Sequence, residues 1–333
     1  DDVMSDRQNV LFVTIDQFRA DCLFGALGDY VKLPNLRALM QNGVSFTQHF
    51  SVCAPCGPSR ASILTGQYAR NHRAVRNGTP LRRDTPNLAT EVRKGGYLPL
   101  LFGYTDSAQD PRGMHPNDPA LGTYEEVMPG FHEVLRMRME DDIGPWRTDL
   151  VAKGYDVPPF PGIYRPNGDQ IDDPAIYSAQ DSDTAFMADA VIKDLAARPA
   201  GWFAHVTFLR PHPPFVAPAP YNQMYAPDSL PAPTTAGTPD QERQRHPFVH
   251  VALDAQKIES NVVGFDGLEA TPDNIAKQRA LYLGLASEVD DHLGRIFDLL
   301  KKTGAYDQTL IVVNSDHGEM LGERGMWFKQ TFF

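Results

Sequence analysis

Three runs of this chain each read as a β-strand buried on both faces, and each stops abruptly in ionisable or polar residues. Asn9 to Ile15 (Asn-Val-Leu-Phe-Val-Thr-Ile) is followed by Asp16 and Gln17, and Trp202 to Leu209 by Arg210, Pro211 and His212. Thr309 to Asn314 is followed by Ser315, Asp316 and His317. A weaker fourth run, Tyr97 to Phe102, ends at Gly103, Tyr104, Thr105 and Asp106. Continuous rather than alternating apolar residues are what a strand covered on both faces requires. Open parallel sheets bind ligands in the crevice beyond the carboxyl ends of their strands, so these polar tails are where chemistry is expected.

Helical patterns lie between the strands: Pro34 to Gln41, Asn87 to Lys94, Asp181 to Ala197 and Ala276 to Lys302. Alternation of the two periods predicts an α/β fold with a mainly parallel central sheet flanked by helices. At 333 residues the chain can bury a substantial core, and no linker divides it, so residues 1–333 are expected to form a single catalytic domain. Residues 110–173 and 211–238 are rich in Pro, Gly, Asp and Asn and read as long loops over the active face.

Composition narrows the partners. A net charge of −11 argues against a nucleic-acid backbone as ligand, and an anionic substrate would need local positive charge. No apolar run reaches the roughly 20 residues of a membrane span. The N-terminus lacks the basic start and apolar stretch of a secretory leader, so the expected location is cytoplasmic, or periplasmic if a leader has been removed. Three cysteines, Cys22, Cys53 and Cys56, are too few for a disulfide framework and favour free thiols.

One of those thiols stands in a distinctive place. Cys53-Ala54-Pro55-Cys56-Gly57-Pro58-Ser59-Arg60 leads into an apolar helical turn closed by Gly66. Cys56 therefore falls at or just before a helix N-terminus, where free N–H groups favour an anion. Local chemistry alone also admits a buried structural Cys, or a redox or metal pair with Cys53. Asp16, Gln17, Asp316 and His317 offer carboxylate, amide and imidazole donors suited to a divalent metal, although an Asp after a strand is often a turn residue or a cap.

The Cys-x-Pro-x-Arg motif formed by Cys56, Pro58 and Arg60, with Leu64-Thr65-Gly66 after it, resembles the formylglycine-dependent sulfatase family of the alkaline phosphatase superfamily. The resemblance implies an alkaline-phosphatase-like fold and oxidation of Cys56 to formylglycine by a formylglycine-generating or equivalent maturation enzyme. It also implies one divalent ion, Ca2+ or Mn2+, held by Asp16, Gln17, Cys56, Asp316 and His317. The common pattern in that family is Asp-Asp and Asp-Asn, whereas Asp-Gln and Asp-His here look like phosphonate monoester hydrolases and choline-sulfatase-like members.

Further roles follow from the same resemblance. Arg60, one helical turn after Cys56, would hydrogen-bond the modified side chain. His212, in Pro211-His212-Pro213-Pro214-Phe215, and Lys329, in Met326-Trp327-Phe328-Lys329-Gln330-Thr331, would contact the transferred group and protonate the leaving group. Asn77 would contact the anion, although an Asn before Gly otherwise reads as a turn. Tyr104 and Asp106 would line the substrate side, where many sulfatases carry Lys and His instead.

The implied reaction is attack of a hydrated formylglycine on sulfur or phosphorus, followed by collapse to the aldehyde with release of the anion. Sulfate esters are the first expectation for this small anionic ester substrate. Asn71-His72-Arg73 and Asp110-Pro111-Arg112 look instead like phosphonate hydrolases, and Met320 to Trp327 like choline-sulfatase-type enzymes, so phosphonate monoesters and phosphodiesters are the alternative. Family members continue beyond the point corresponding to Phe333 with more sheet and a C-terminal subdomain. The chain is therefore expected to be truncated, with an inactive or binding-only fragment as the contrasting reading. A second copy of the chain is kept open as a partner.

Overall fold

The computed structural model describes residues 7–123, 126–139, 143–235 and 237–329. Gln330 and Thr331, which close the segment around Lys329, lie outside the described residues, as do small parts of the two long loops.

Among the described residues, five strands form one parallel sheet: β1 (Asn9–Ile15), β2 (Pro99–Gly103), β3 (His132–Arg136), β4 (Phe203–Phe208) and β5 (Thr309–Ser315), in the order β3-β2-β4-β1-β5. The apolar run of β1 puts it between β4 and β5, with Leu11, Val13 and Ile15 all buried. Register then does the chemical work. Ile15 pairs with Phe208 on one side and Ser315 on the other, so Asp16 and Asp316 leave the sheet side by side.

The expected helices form, and their starts are set by caps. Pro34–Gln41 has no side-chain cap of its own; Asp290 supplies one from another helix, accepting from the backbone N–H groups of Asn35 (2.9 Å) and Leu36 (2.7 Å). The helix expected from Asp181 begins at Asp183, because the Ser182 hydroxyl accepts the Ala185 N–H. The last helix runs from Pro272 to Lys302, four residues earlier than its apolar pattern suggested. Thr271 caps Asn274 there and Pro272 occupies the first turn, a start signal that periodicity alone overlooks. This long helix carries Leu281, Leu285, Val289, Leu293 and Ile296 into the main core. Gly284 lets the Tyr221–Gln223 turn lie against it, since a Cβ there would sit 2.1 Å from the Tyr221 carbonyl oxygen.

The stretch 110–173 is more than a loop. It supplies β3 and a helix at Gly144–Ala152. His132-Glu133-Val134-Leu135-Arg136 forms an edge strand that is exposed to half-buried along its length, so it lacks the continuous apolar signature of an inner strand. The helix buries Trp146 and Leu150 despite its Pro- and Gly-rich surroundings. Among the described residues of 211–238 the chain remains irregular, with short turns at Tyr221–Gln223 and Pro227–Ser229. No helix among the described residues is long and apolar enough to cross a membrane.

Candidate metal and anion site

Four donor atoms converge where the carboxyl ends of β1 and β5 meet the N-terminus of the Cys56–Thr65 helix. One ligand atom from each of Asp16, Cys56, Asp316 and His317 lies within 4.8 Å of the others, and all four residues are buried. Cys56 is the first helical residue, preceded by extended Pro55 and closed ten residues later by left-handed Gly66. His317 Nε2 is 3.3 Å from Cys56 Sγ. Its other ring nitrogen lies 3.0 Å from the Gly318 carbonyl, which in the neutral ring places the proton on Nδ1 and leaves the Nε2 lone pair facing the cluster.

The cluster fits a cation on a second count. Among the described residues, Asp16 Oδ1 and Gln17 Oε1 are buried without a hydrogen-bond partner, and such oxygens are costly unless something positive meets them. Gln17 is held in the left-handed region at φ 62°, with its N–H donating to Asp316 Oδ1 (3.1 Å) and its carbonyl accepting from the Tyr282 hydroxyl (2.7 Å). Its side-chain nitrogen donates to Glu319, so the amide oxygen is turned the other way. Glu319 in turn accepts the N–H groups of Leu321 (3.1 Å) and Phe328 (2.6 Å). Sequence reasoning missed Glu319 as an orienting group; its place three residues after Asp316 was the available signal.

Arg60 sits beneath the donors and 2% exposed. Its Nε donates to Asp316 Oδ2 at 2.9 Å and its Nη2 to Asp16 Oδ2 and the Tyr104 hydroxyl, each at 3.2 Å. Four positions after Cys56 along the helix, Arg60 thus bonds both carboxylates at the β1 and β5 ends. Tyr104 is likewise buried, stacked 4.2 Å from the Arg60 guanidinium carbon and donating to Asp16. Its hydroxyl thus ties Tyr104 to both Arg60 and Asp16.

On the open side, half-buried Lys329 donates to Cys56 Sγ and meets His212 Nε2, both at 2.8 Å. His212 Nδ1 lies 2.6 Å from the Pro213 carbonyl, which fixes the proton there and leaves Nε2 to accept from Lys329. Asn77 accepts the Gly57 N–H through Oδ1 at 2.9 Å, beside the helix N-terminus. Asp106, left-handed at φ 53°, is buried, with Oδ1 unpartnered among the described residues. Cys53 lies 3.6 Å from the Ser62 hydroxyl and is not one of the clustered donors.

The electrostatics follow from this packing. Burial alone would raise the Asp16 carboxyl, but His212, Arg60, Lys329 and His317 hold it well below the usual carboxylate range. Burial pushes the Cys56 thiol up, reinforced by Asp16 and opposed by Lys329. Desolvation, and then the Lys329 charge, push His212 down to about 3. Asp106 is pushed up to about 7 by burial, with Arg60 opposing and Asp16 adding to the shift. Burial opposes the Lys329 charge, yet Cys56 and Asp16 keep its pKa above the ordinary lysine value.

A sulfatase family model matches residues 8–332, nearly the whole chain. The chain belongs to the sulfatase family. Within it, the chain is 40% identical to the multifunctional alkaline phosphatase superfamily protein PehA of Trinickia caryophylli, over 95% of its length and 64% of the relative's. It is 27% identical to a choline-sulfatase of Rhizobium meliloti, over 98% of its length and 60% of that protein. Among solved structures, the phosphonate monoester hydrolase SpPMH of Silicibacter pomeroyi superposes with a TM-score of 0.95 at 56% identity, covering 98% of this chain and 66% of that one. The chain spans less than two thirds of each of these relatives. The parallel sheet and its flanking helices are the sulfatase and alkaline-phosphatase-like fold, and this family member groups with the phosphonate hydrolase and choline-sulfatase branch.

Proposed function

We propose that this protein is a metal-dependent hydrolase of phosphonate monoesters and phosphodiesters whose nucleophile is formylglycine made from Cys56 by a maturation enzyme. The single observation that carries the reading is the convergence on Cys56 Sγ of His317 Nε2 from one side and Lys329 Nζ from the other, with Asp16 and Asp316 alongside. In the unmodified chain Sγ stands in for the attacking hydroxyl of the hydrated aldehyde. Asp16, Gln17, Asp316 and His317 would hold the ion; when bound it supplies positive charge that acidifies the nucleophile and balances the anion. An imidazole among oxygen donors favours Mn2+ over Ca2+.

The chain's own residues divide the remaining work. Arg60 keeps the two carboxylates parallel and stays out of the reaction. Asn77, bonded through its oxygen to Gly57, presents its amide N–H groups to a non-bridging oxygen of the substrate. Lys329 reaches both residue 56 and His212, so its ammonium stabilises the transferred group as negative charge builds. The proton for the departing alkoxide comes from the Lys329–His212 pair. A neutral His212 with its Nδ1 proton tied to Pro213 accepts from Lys329 and cannot itself start as the acid.

The sequence motifs put sulfate esters first. The order is reversed here because 56% identity to a phosphonate monoester hydrolase outweighs 27% to a choline-sulfatase as support for substrate class. Sulfate esters remain the second reading, favoured by the family as a whole. Matured full-length protein, assayed with para-nitrophenyl phenylphosphonate, bis-para-nitrophenyl phosphate and para-nitrophenyl sulfate, tests the order. Higher kcat/KM on the two phosphorus esters is expected; a higher value on the sulfate ester reverses it. Peptide mass spectrometry at residue 56 separates aldehyde from thiol.

A further inference from the structure

His212 sits on an irregular segment after β4, yet its imidazole must hold one orientation against Lys329. The segment's backbone shows how. Arg210, with no exposed surface, folds back along the chain, and its Nη1 donates to the carbonyls of both His212 (3.0 Å) and Pro214 (2.7 Å). One guanidinium nitrogen thus grips the backbone at His212 and two residues beyond it. Its Nε donates to Asp183 Oδ2 at 2.9 Å, and Asp183 is the first residue of the Asp183–Ala196 helix, itself 3% exposed. The face of the guanidinium lies 4.7 Å from the Tyr164 ring centre, and Tyr164 stacks on Trp146 of the Gly144–Ala152 helix.

We propose that Arg210, anchored by Asp183, is a positioning residue for leaving-group protonation: it fixes the His212 backbone so that Nε2 stays against Lys329 Nζ. A lysine at 210 could not replace it, because a point charge lacks the planar fork that reaches Asp183 and two carbonyls at once. The inference rests on the proposed hydrolase reading and deepens it by naming what holds His212, the partner of the Lys329 acid, in place. The residue touches neither substrate nor the clustered donors. Its effect therefore scales with how much the reaction needs the proton.

The test compares Arg210→Lys and Asp183→Asn with the unsubstituted, matured full-length enzyme on phosphonate or phosphate esters of para-nitrophenol and of a simple aliphatic alcohol. For the aliphatic ester, which needs its leaving group protonated, kcat is expected to fall on the order of 100-fold in Arg210→Lys. For the nitrophenyl ester, which departs unaided, the fall is expected to stay below about threefold, with KM little changed. Equal losses on both leaving groups, or none, overturn the proposal. Should Arg210→Lys not fold, Asp183→Asn decides by the same comparison; loss of the fold in both assigns the pair to stability and also overturns it. An unsubstituted enzyme that turns over no ester of either kind contradicts the hydrolase reading itself, a separate result.

Discussion

Arg60 Nε and Asp316 Oδ2 are 2.9 Å apart, both side chains buried, with the same guanidinium reaching Asp16 at 3.2 Å. A buried cation there lets two carboxylates sit side by side when no ion is bound and keeps them aimed when one is. Removing it leaves both carboxylates unbalanced, which costs about 3–5 kcal/mol in buried pairs. Arg60→Ala is expected to lower both the melting temperature and Mn2+ affinity, the latter by roughly 10–100-fold. Calorimetric titration of the variant checks this; unchanged affinity in a folded variant would show that Arg60 does not orient the donors.

Cys56→Ser separates attack from reset. A serine hydroxyl can be transferred to, but it has no second hydroxyl whose proton loss expels the product. The variant is expected to release about one equivalent of alcohol and stall, with steady turnover down by at least on the order of 10⁴-fold. Burst kinetics read this directly. Sustained turnover by Cys56→Ser would remove the need for an aldehyde at this position.

Lys329 carries the contacts to both Cys56 and His212, each at 2.8 Å. Lys329→Ala is expected to reduce kcat by roughly 10²–10⁴-fold, the range for loss of a positioned proton donor. A change confined to KM would place Lys329 in ground-state binding only.

How far the sequence reaches can be judged residue by residue. The β1 bounds were readable because a strand covered on both faces reads as a continuous apolar run, and Asn9–Ile15 is nearly so. The pairing of Ile15 with Ser315 was not, yet polar tails on two such strands already pointed to Asp16 and Asp316 as neighbours. β3 escaped notice because an edge strand needs only one buried face. The orientation of buried side chains was also out of reach. That Arg60 would face the carboxylates, that Tyr104 would turn under Asp16, and that Glu319 would set the Gln17 amide depends on contacts 44 to 302 residues apart in the chain. Motif spacing names the participants; only packing assigns their partners.

Away from the site, Glu288 on the long helix is fully buried near Asp183 and Arg210. Burial, then the Asp183 charge, raise its carboxyl from 4.5 to about 8, with Ser182 and Arg210 opposing. The unfolded chain therefore loses this proton first, and stability falls as pH rises from about 4.5 towards 8, by at most about 1.4 kcal/mol per pH unit. Glu288→Gln is expected to flatten that decline in denaturant melts across the same window. A parallel pH profile in the variant would mean that the group is already ionised in the folded protein.

The most direct test is a crystal of the manganese-loaded protein, measured at the manganese absorption edge. The account predicts one anomalous peak bounded by Asp16, Gln17, Asp316, His317 and residue 56. No peak there with manganese present in the crystal, or one at a different set of residues, would contradict it.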